Sequence, residues 1–362
     1  MTRTVVNVKL KENSYKIVIG DGILSRLGHA LKTMPMGRDA VIVTMPLIQK
    51  LHSQSIVATL RRNGFSVKII TVPDRKDTKS LRVATQVLNE IIKYDIKKKI
   101  FIIALGGGVI GDLVGFVAAI YKRGVPYVHV PTTLLAQIDS AIGGKTAVDL
   151  LDGKNLIGAF YQPKIVWTDV ATLKKLPKEQ MRNGLAEAVK YGIIKDQRLF
   201  AYIERHYKKI LSGNAKFLLP LLVRCSQIKA NVVMRDEKET KGIRTILNFG
   251  HTVGHAIEAA SHYRYDHGEA VALGMRVASD ISAKLGLLSK QGVERINGLL
   301  DAIRLPRKIE HVSLTNILRI MEHDKKFRGG TNRFVLATRI GHVKVVEGIP
   351  LAVIHRAIQR YS

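Results

Sequence analysis

Cysteine is almost absent. Cys225 is the single one in 362 residues, which excludes an intramolecular disulfide and any metal site built on clustered thiolates. A lone thiol of this kind reads as a small buried hydrophobe. Acidic residues are scarce as well, 29 Asp plus Glu against 58 Lys plus Arg, so the chain carries a formal net charge of +29. Such a surplus attracts polyanions. The cations nevertheless fall in short scattered groups (Arg61-Arg62, residues 97–99, Lys174-Lys175, Lys208-Lys209, Lys325-Lys326). That distribution describes a solvated surface and argues against specific nucleic-acid binding, with a few lysines left to serve an anionic small molecule. Long apolar runs are missing too. The first eleven residues alternate apolar and charged types and lack the core of a signal peptide, while the most apolar window, residues 109–120, contains Asp112 and is too short to cross a bilayer. A soluble, cytoplasmic protein is the expectation. No internal repeat or low-complexity segment is present.

What is present is globular. A hydrophobic content of 46% is that of a packed protein, and the length suits two domains. Residues 5–10 and 15–19 alternate around a polar tetrapeptide and predict an opening hairpin. Short β-branched runs follow at 40–44, 65–72, 100–105, 127–130 and 165–168, separated by stretches with helical apolar spacing. Strands alternating with helices require crossover connections and a parallel sheet covered on both faces. Past Pro177 apolar residues recur three and four apart, and only residues 333–346 look extended, as a hairpin turning near Gly341. The expected fold is therefore α/β: a doubly wound, Rossmann-like parallel-sheet domain over residues 1–175, then a mainly α-helical domain over 176–362. The active site is expected in the cleft between them.

Residues 100–105 run directly into Gly106-Gly107-Gly108-Val109-Ile110-Gly111-Asp112 and then into a stretch of helical length. A strand that breaks on glycines and re-forms as a helix offers bare N–H groups and a positive helix end to a diphosphate. A standard dinucleotide fold places a carboxylate about 20 residues further on to hold the ribose. Here that region reads Val128-His129-Val130-Pro131-Thr132-Thr133, so the ribose contact must come from another strand end, and Asp74, after residues 65–72, is the candidate.

His251 and His255 are four apart and share one helix face, Glu258 extends it, and His267 heads a later helical run with Glu269. Imidazoles with a carboxylate and no sulfur suit zinc in an open, catalytic site. A glutamate from another helix can complete the set, and Glu187 offers one; spacing does not choose between Glu187, Glu258 and Glu269. Lys145 follows Gly143-Gly144 and Lys154-Asn155 follows Gly153, placing lysines beside flexible backbone as phosphate or carboxylate recognition requires. Asp139 lies just upstream, Lys229, Arg244 and Asn248 flank the histidines, and Lys190 stands one helical turn after Glu187. Together these residues point to redox chemistry on an anionic, phosphorylated polyol.

The ordered set Gly106 to Asp112, Tyr121-Lys122-Arg123-Gly124, Pro131-Thr132-Thr133-Leu134-Leu135-Ala136-Gln137, Gly143-Gly144-Lys145-Thr146, Gly153-Lys154-Asn155, Gly184-Leu185-Ala186-Glu187, Leu247-Asn248-Phe249-Gly250-His251 and His267-Gly268-Glu269 resembles the 3-dehydroquinate synthase family over nearly the whole chain. The resemblance implies conversion of 3-deoxy-D-arabino-heptulosonate 7-phosphate to 3-dehydroquinate in the shikimate pathway, with NAD and one divalent metal, zinc or cobalt, in a homodimer. It implies metal ligands Glu187, His251 and His267. It implies a substrate site of Asp139, Lys145, Lys154, Asn155, Lys190, Lys229, Arg244, Asn248, His255 and Lys325 or Lys326, with Arg123 reaching the phosphate from the neighbouring subunit. For NAD it implies Asp74, Lys79, residues 106–112, Thr132, Thr133, Asp139, Lys145, Lys154, Thr172, Leu173, Lys174 and Lys175. Another sugar-phosphate cyclase, such as a 2-deoxy-scyllo-inosose synthase, is the nearest rival, although Lys229, Arg244 and Asn248 favour a substrate carboxylate. A metal-dependent alcohol or glycerol-phosphate dehydrogenase is the next, and an RNA-binding derivative of such an enzyme comes from a different class.

One departure stands out. The family's Asp-Gly-Glu loop reads Asp74-Arg75-Lys76 here, with a cation where a glutamate meets the ribose. Opposite charge at that contact weakens NAD or accommodates a 2′-phosphate. Titration of the protein with NAD and with NADP is expected to give weakened NAD binding and measurable NADP binding; a strong, undiminished preference for NAD rejects the expectation.

Overall fold

The structure is a computed structural model and describes residues 3–75, 77–150, 153–323 and 331–362. Its chain divides into two compact units, one of Met1–Leu176 with Leu218–Lys238 and one of Pro177–Phe217 with Glu239–Ser362.

The first unit is built on a seven-stranded sheet. Its strands are β1 (Thr4–Val8), β2 (Tyr15–Gly20), β3 (Asp39–Thr44), β4 (Ser66–Thr71), β5 (Ile100–Gly106), β6 (Tyr127–Pro131) and β9 (Ile165–Asp169), in spatial order β1-β2-β9-β6-β5-β3-β4. Only β1 and β2 pair antiparallel, as the opening hairpin; every other contact is parallel. The runs at 40–44, 65–72, 100–105, 127–130 and 165–168 are thus all strands. Strand β5 is buried along its full length, as a central strand covered on both faces must be. One core cluster packs Ile102, Ala104, Val114 and Val117 on one side of the sheet, and another packs Ile103, Leu105, Val128 and Trp167 on the other.

The connection from β3 runs to β4 on one side and that from β5 runs to β6 on the other. The sheet therefore changes direction between β3 and β5, and ligands in open α/β sheets bind beyond the carboxyl ends at such a point. The glycine loop sits there. Helix Gly108–Ile120 follows β5 directly, with Gly107 as its N-cap. A Cβ on Gly111 would lie 2.1 Å from Cε1 of His129 in β6, so glycine at 111 is what lets the helix start close against the sheet. His129 is buried and its pKa is lowered to about 4 by that burial, which leaves it neutral and adds no charge beneath the helix end.

Two strands were not expected. β7 (Lys145–Leu150) and β8 (Gly153–Phe160) form an antiparallel hairpin; Lys145 opens its first strand, while Lys154 and Asn155 fall where the register shifts between the Leu150–Gly153 and Val148–Ile157 pairs, with Asn155 at φ 59°. A return of the chain was also not foreseen: helix Ala215–Arg235 belongs from Leu218 onward to the first unit. It is long and apolar enough, by length and composition, to cross a membrane, and it buries Leu221, Leu222, Cys225, Ser226 and Lys229.

The second unit is mainly helical, as expected, with long helices at Lys178–Lys195, Gln197–Leu211, His251–Ala260, His267–Lys284 and Lys290–Ala302. Its sheet is the hairpin of β10 (Arg333–Arg339) and β11 (His342–Glu347), turning at Gly341 with φ 93°.

The contact of Gly111 with His129 carries a stability prediction. Gly111→Ala is expected to cost about 1–3 kcal/mol by overpacking, and in a His129→Ala background the same change is expected to be nearly neutral, as read by urea denaturation. An equal cost in both backgrounds contradicts this account of the loop.

Candidate active site

In the first unit the residues proposed for a nucleotide gather at one end of the sheet. β3, β4, β5, β6 and β9 run parallel, so Asp74 after β4, Gly106 to Ile110 after β5, Thr132 and Thr133 after β6, and Thr172 to Lys175 after β9 all lie beyond carboxyl ends. Asp74, Lys174 and Lys175 are exposed, and Thr132 and Thr172 are buried. The first helical turn leaves the N–H groups of Gly108, Val109 and Ile110 without an intrahelical acceptor. Around them the Thr132 Oγ1 and Ser140 Oγ hydroxyls are buried without a hydrogen-bond partner among the described residues, and Ser140 Oγ would lie 3.0 Å from a Cβ on Gly108. Ser140 was not anticipated.

Gln137 was also missed as a site residue, although it falls in the recognised motif. Fully buried, its Nε2 lies within donating distance of Pro131 O at 3.1 Å, Asp169 O at 3.0 Å and Thr172 Oγ1 at 2.9 Å. It thereby ties the ends of β6 and β9 together.

Lys79 centres a charged cluster. Its Nζ donates to Asp112 Oδ2 at 2.6 Å and to Asn155 Oδ1, and stands 3.9 Å from Asp149 Oδ1. Asp149 in turn accepts from the Asn155 N–H at 2.8 Å. Burial pushes the Asp112 carboxyl above its usual value, with Lys79 and Lys229 opposing. Lys229 donates to the Asp139 backbone carbonyl at 2.8 Å and also to its carboxylate, which places Asp139, on the π-turn Ala136–Ser140, against the returning helix. Lys79, Asp112, Asp139, Asn155 and Lys229, drawn from five separate stretches of sequence, thus belong to one electrostatic neighbourhood.

Arg123 ends a turn held in unusual backbone: Lys122, Arg123 and Gly124 have φ 48°, 64° and 128°. Tyr121 Oη donates to Asp95 Oδ2 at 2.7 Å and Lys122 pairs with the same oxygen, so a buried carboxylate pins the turn that presents Arg123.

In the second unit, three helix segments converge. Glu187 lies in the middle of Lys178–Lys195, His251 opens His251–Ala260, and His267 opens His267–Lys284. Two features bring them together. A Cβ on Gly274 would lie 1.8 Å from Gly250 O, so the two histidine-bearing helices touch backbone to backbone there. Asn183, one turn before Glu187, accepts from the Gly268 N–H and docks the start of the third helix onto the first.

The carboxylate of Glu187 is completely buried and neither oxygen has a well-formed hydrogen bond among the described residues. Facing it are His267 Nε2 at 3.3 Å, His251 Nε2 at 3.5 Å and Lys190 Nζ in an ion pair. The three ligand atoms lie within 4.8 Å of one another, and the imidazole–carboxylate spacings match the edge of a tetrahedron with bonds of about 2.0–2.1 Å. This donor set fits a divalent metal, with Nε2 of both rings turned to it. Burial works to raise the Glu187 carboxyl, but Lys190 and His267 outweigh it and hold it well below the usual range. Burial and Lys190 keep His251 well below the ordinary imidazole value, hence neutral and ready to bind as a lone-pair donor. Burial also opposes charge on His267, yet Glu187 and Glu258 raise its pKa to about 10. The proton it then carries occupies the place a cation takes on metal binding.

Of the three carboxylates that spacing left open, Glu269 closes a capping box, accepting from the Asp266 N–H at 3.0 Å, and Glu258 meets the far nitrogen of His267. His255 is exposed one turn along from His251, with ring centroids 5.1 Å apart. Arg244 is buried within the short helix Ile243–Asn248, which ends on Asn248. Lys325 and Lys326, like Lys76, lie outside the described residues.

A family model described as 3-dehydroquinate synthase N-terminal matches residues 69–183, and one described as 3-dehydroquinate synthase C-terminal matches residues 184–327. The chain is 43% identical over 346 residues to the 3-dehydroquinate synthase of Desulforamulus reducens, covering 95% of this chain and 96% of that one. It is 44% identical over 346 residues to the 3-dehydroquinate synthase of Pelotomaculum thermopropionicum, at 95% and 93% coverage. Among solved structures it is similar to a 2-epi-5-epi-valiolone synthase from Streptomyces hygroscopicus with NAD+ and Zn2+ bound, with TM-score 0.88, 26% identity and 98% of each chain covered. It is also similar to a 2-deoxy-scyllo-inosose synthase complexed with carbaglucose-6-phosphate, NAD+ and Co2+, with TM-score 0.88, 25% identity and 99% of this chain and 100% of that one covered. An iron-containing alcohol dehydrogenase, at TM-score 0.68, 15% identity and coverage of 96% and 97%, shares the fold alone.

Proposed function

The chain belongs to the 3-dehydroquinate synthase family, and from that premise we propose how its residues turn 3-deoxy-D-arabino-heptulosonate 7-phosphate into 3-dehydroquinate and phosphate. The enzyme is an NAD- and divalent-metal-dependent carbon–oxygen lyase of aromatic biosynthesis, working in the cytoplasm. The observation that carries the reading is the buried Glu187 carboxylate facing two imidazole Nε2 atoms, on a chain whose other unit has a glycine loop at its sheet's switch point.

When bound, NAD supplies reversible hydride acceptance at carbon 5 of the sugar and the metal supplies acidification of the hydroxyl there. The remaining work falls to the chain. The first turn of Gly108–Ile120 and the hydroxyls of Thr132 and Thr133 hold the diphosphate. Lys145, Lys154, Asn155, Lys229, Arg244 and Asn248 orient the anionic substrate, the last three at its carboxylate. Asp139 fixes the ammonium of Lys229. Lys190 stabilises the charge on Glu187, and His255, one turn along from His251, is a further group of the proposed substrate site. Oxidation at carbon 5 acidifies the neighbouring C–H bond, so that phosphate leaves with one of its own oxygens taking the proton. Hydride return, ring opening and aldol closure then need mainly a site that keeps the enolate oriented.

We also propose a homodimer in which Arg123 serves the phosphate of the neighbouring subunit. Strand β8 pairs with β7 alone among the described residues, and its outward face carries Leu156 at 60% and Phe160 at 44% exposure beside Lys154. Exposed apolar side chains of this kind suit burial against a second copy of the chain.

Incubation with the heptulosonate phosphate, catalytic NAD and zinc is expected to release phosphate continuously without accumulating NADH, and to stop in Lys145→Ala and in His267→Ala. Stoichiometric NADH formation contradicts the cyclase reading in favour of a dehydrogenase. Subunit sharing has its own readout. Arg123→Ala and His267→Ala proteins, each inactive, are expected to recover about a quarter of wild-type activity after mixing and re-association, because half the dimers are then mixed and each mixed dimer holds one intact site. No recovery means that Arg123 acts within its own subunit.

A further inference from the structure

Helix His251–Ala260 presents His251, His255 and Glu258 at intervals of four and three, one continuous face. The third of these has no place in the reaction described above. Glu258 is a buried carboxylate, 7% exposed, and burying a carboxylate is costly unless a cation meets it. Its Oε2 lies 3.4 Å from Nδ1 of His267, the nitrogen on the opposite side of the ring from Glu187. The helix turn below it is fixed, since its backbone carbonyl accepts from Ser261 Oγ at 2.9 Å and from the Tyr263 N–H at 2.8 Å. His251 is held in the same sense by a weaker partner, its Nδ1 lying 3.1 Å from the Phe249 carbonyl. The two ligand rings therefore differ in one respect: a neutral carbonyl backs the first and a carboxylate backs the second.

We infer that Glu258 is the positioning residue of the metal centre, holding the Nδ1 proton of His267 so that Nε2 presents its lone pair, and making that ring the more strongly donating of the two. A ring nitrogen's metal affinity depends on what the other nitrogen donates to, and a carboxylate there both selects the tautomer and raises the ring's basicity. The inference rests on Glu187, His251 and His267 being the ligands. The alternative use of the same atoms is a second metal on His255, Glu258 and His267, whose ligand atoms also lie within 4.8 Å of one another. That arrangement strips the Nδ1 proton and makes His267 bridge two ions, and the same experiment separates it.

The test measures zinc affinity by competition with a chromogenic chelator, metal stoichiometry, and the visible spectrum of the cobalt-substituted protein, in wild type, Glu258→Gln, Glu258→Ala and Glu187→Ala. One metal per chain is expected in wild type. Glu258→Ala is expected to weaken zinc by about 10–100-fold and to shift the cobalt bands. Glu258→Gln, which keeps the volume and an acceptor oxygen but not the charge, is expected to lose less, with the melting temperature of its metal-free form unmoved. Zinc affinity within twofold of wild type and unshifted cobalt bands in both Glu258 variants overturn the inference. So do two metals per chain in wild type with one lost in Glu258→Ala, because Glu258 is then a ligand. Unchanged binding in Glu187→Ala instead overturns the ligand assignment on which the inference rests.

Discussion

A carboxylate with no exposed surface, set in the middle of an 18-residue helix, is the constraint around which the second unit is arranged. Removing such a group from water costs several kcal/mol unless opposite charge meets it. Glu187 has Lys190 on its own helix and two imidazoles brought by two others. Each supporting feature serves that meeting: the glycine contact between the histidine helices, the docking of Gly268 by Asn183, and the backing of the rings by Phe249 and Glu258. A site this expensive to form without a cation is suited to binding one. Its charge balance also explains why a lysine is among the most buried side chains of so basic a protein.

The first unit solves a different problem with backbone. Six parallel strands, β2, β3, β4, β5, β6 and β9, deliver their carboxyl ends to one side, and the diphosphate site we propose lies at the reversal between β3 and β5. Few of the residues that meet it need charge, because helix N–H groups supply the attraction. The charged cluster of Lys79, Asp112, Asp149 and Asn155 then joins the glycine-loop helix to the β7–β8 hairpin. Residues proposed for the nucleotide and for the substrate thereby share one charged cluster.

Much of this was legible in the sequence, for identifiable reasons. β5 and the glycine loop announce themselves through an unbroken apolar run followed by three glycines, and the histidine helices through four-residue spacing. The hairpin of β7 and β8 was hidden because its glycines and lysines resemble a loop, and because Thr146, Ala147 and Val148 are buried in succession and show no alternation. The return of Leu218–Lys238 to the first unit was not readable, since apolar spacing reports that a face is buried and not against what. Spacing also left Glu187, Glu258 and Glu269 equivalent; three-dimensional placement separates them into a carboxylate facing both imidazole Nε2 atoms, a partner of one ring's far nitrogen, and a helix cap. The fold's breadth explains the rivals. Cyclases and alcohol dehydrogenases share this architecture, and it is identity above 40% to 3-dehydroquinate synthases over nearly the whole chain that distinguishes among them.

The central claim, proposed from a buried carboxylate that faces two imidazoles, is that Glu187, His251 and His267 hold one divalent metal. X-ray absorption of the zinc-loaded protein measures this directly. The account predicts a coordination shell with two imidazole nitrogens and a carboxylate oxygen at about 2.0–2.2 Å, reduced to one imidazole in His267→Ala. A shell of oxygens alone, or one that His267→Ala leaves unchanged, contradicts it.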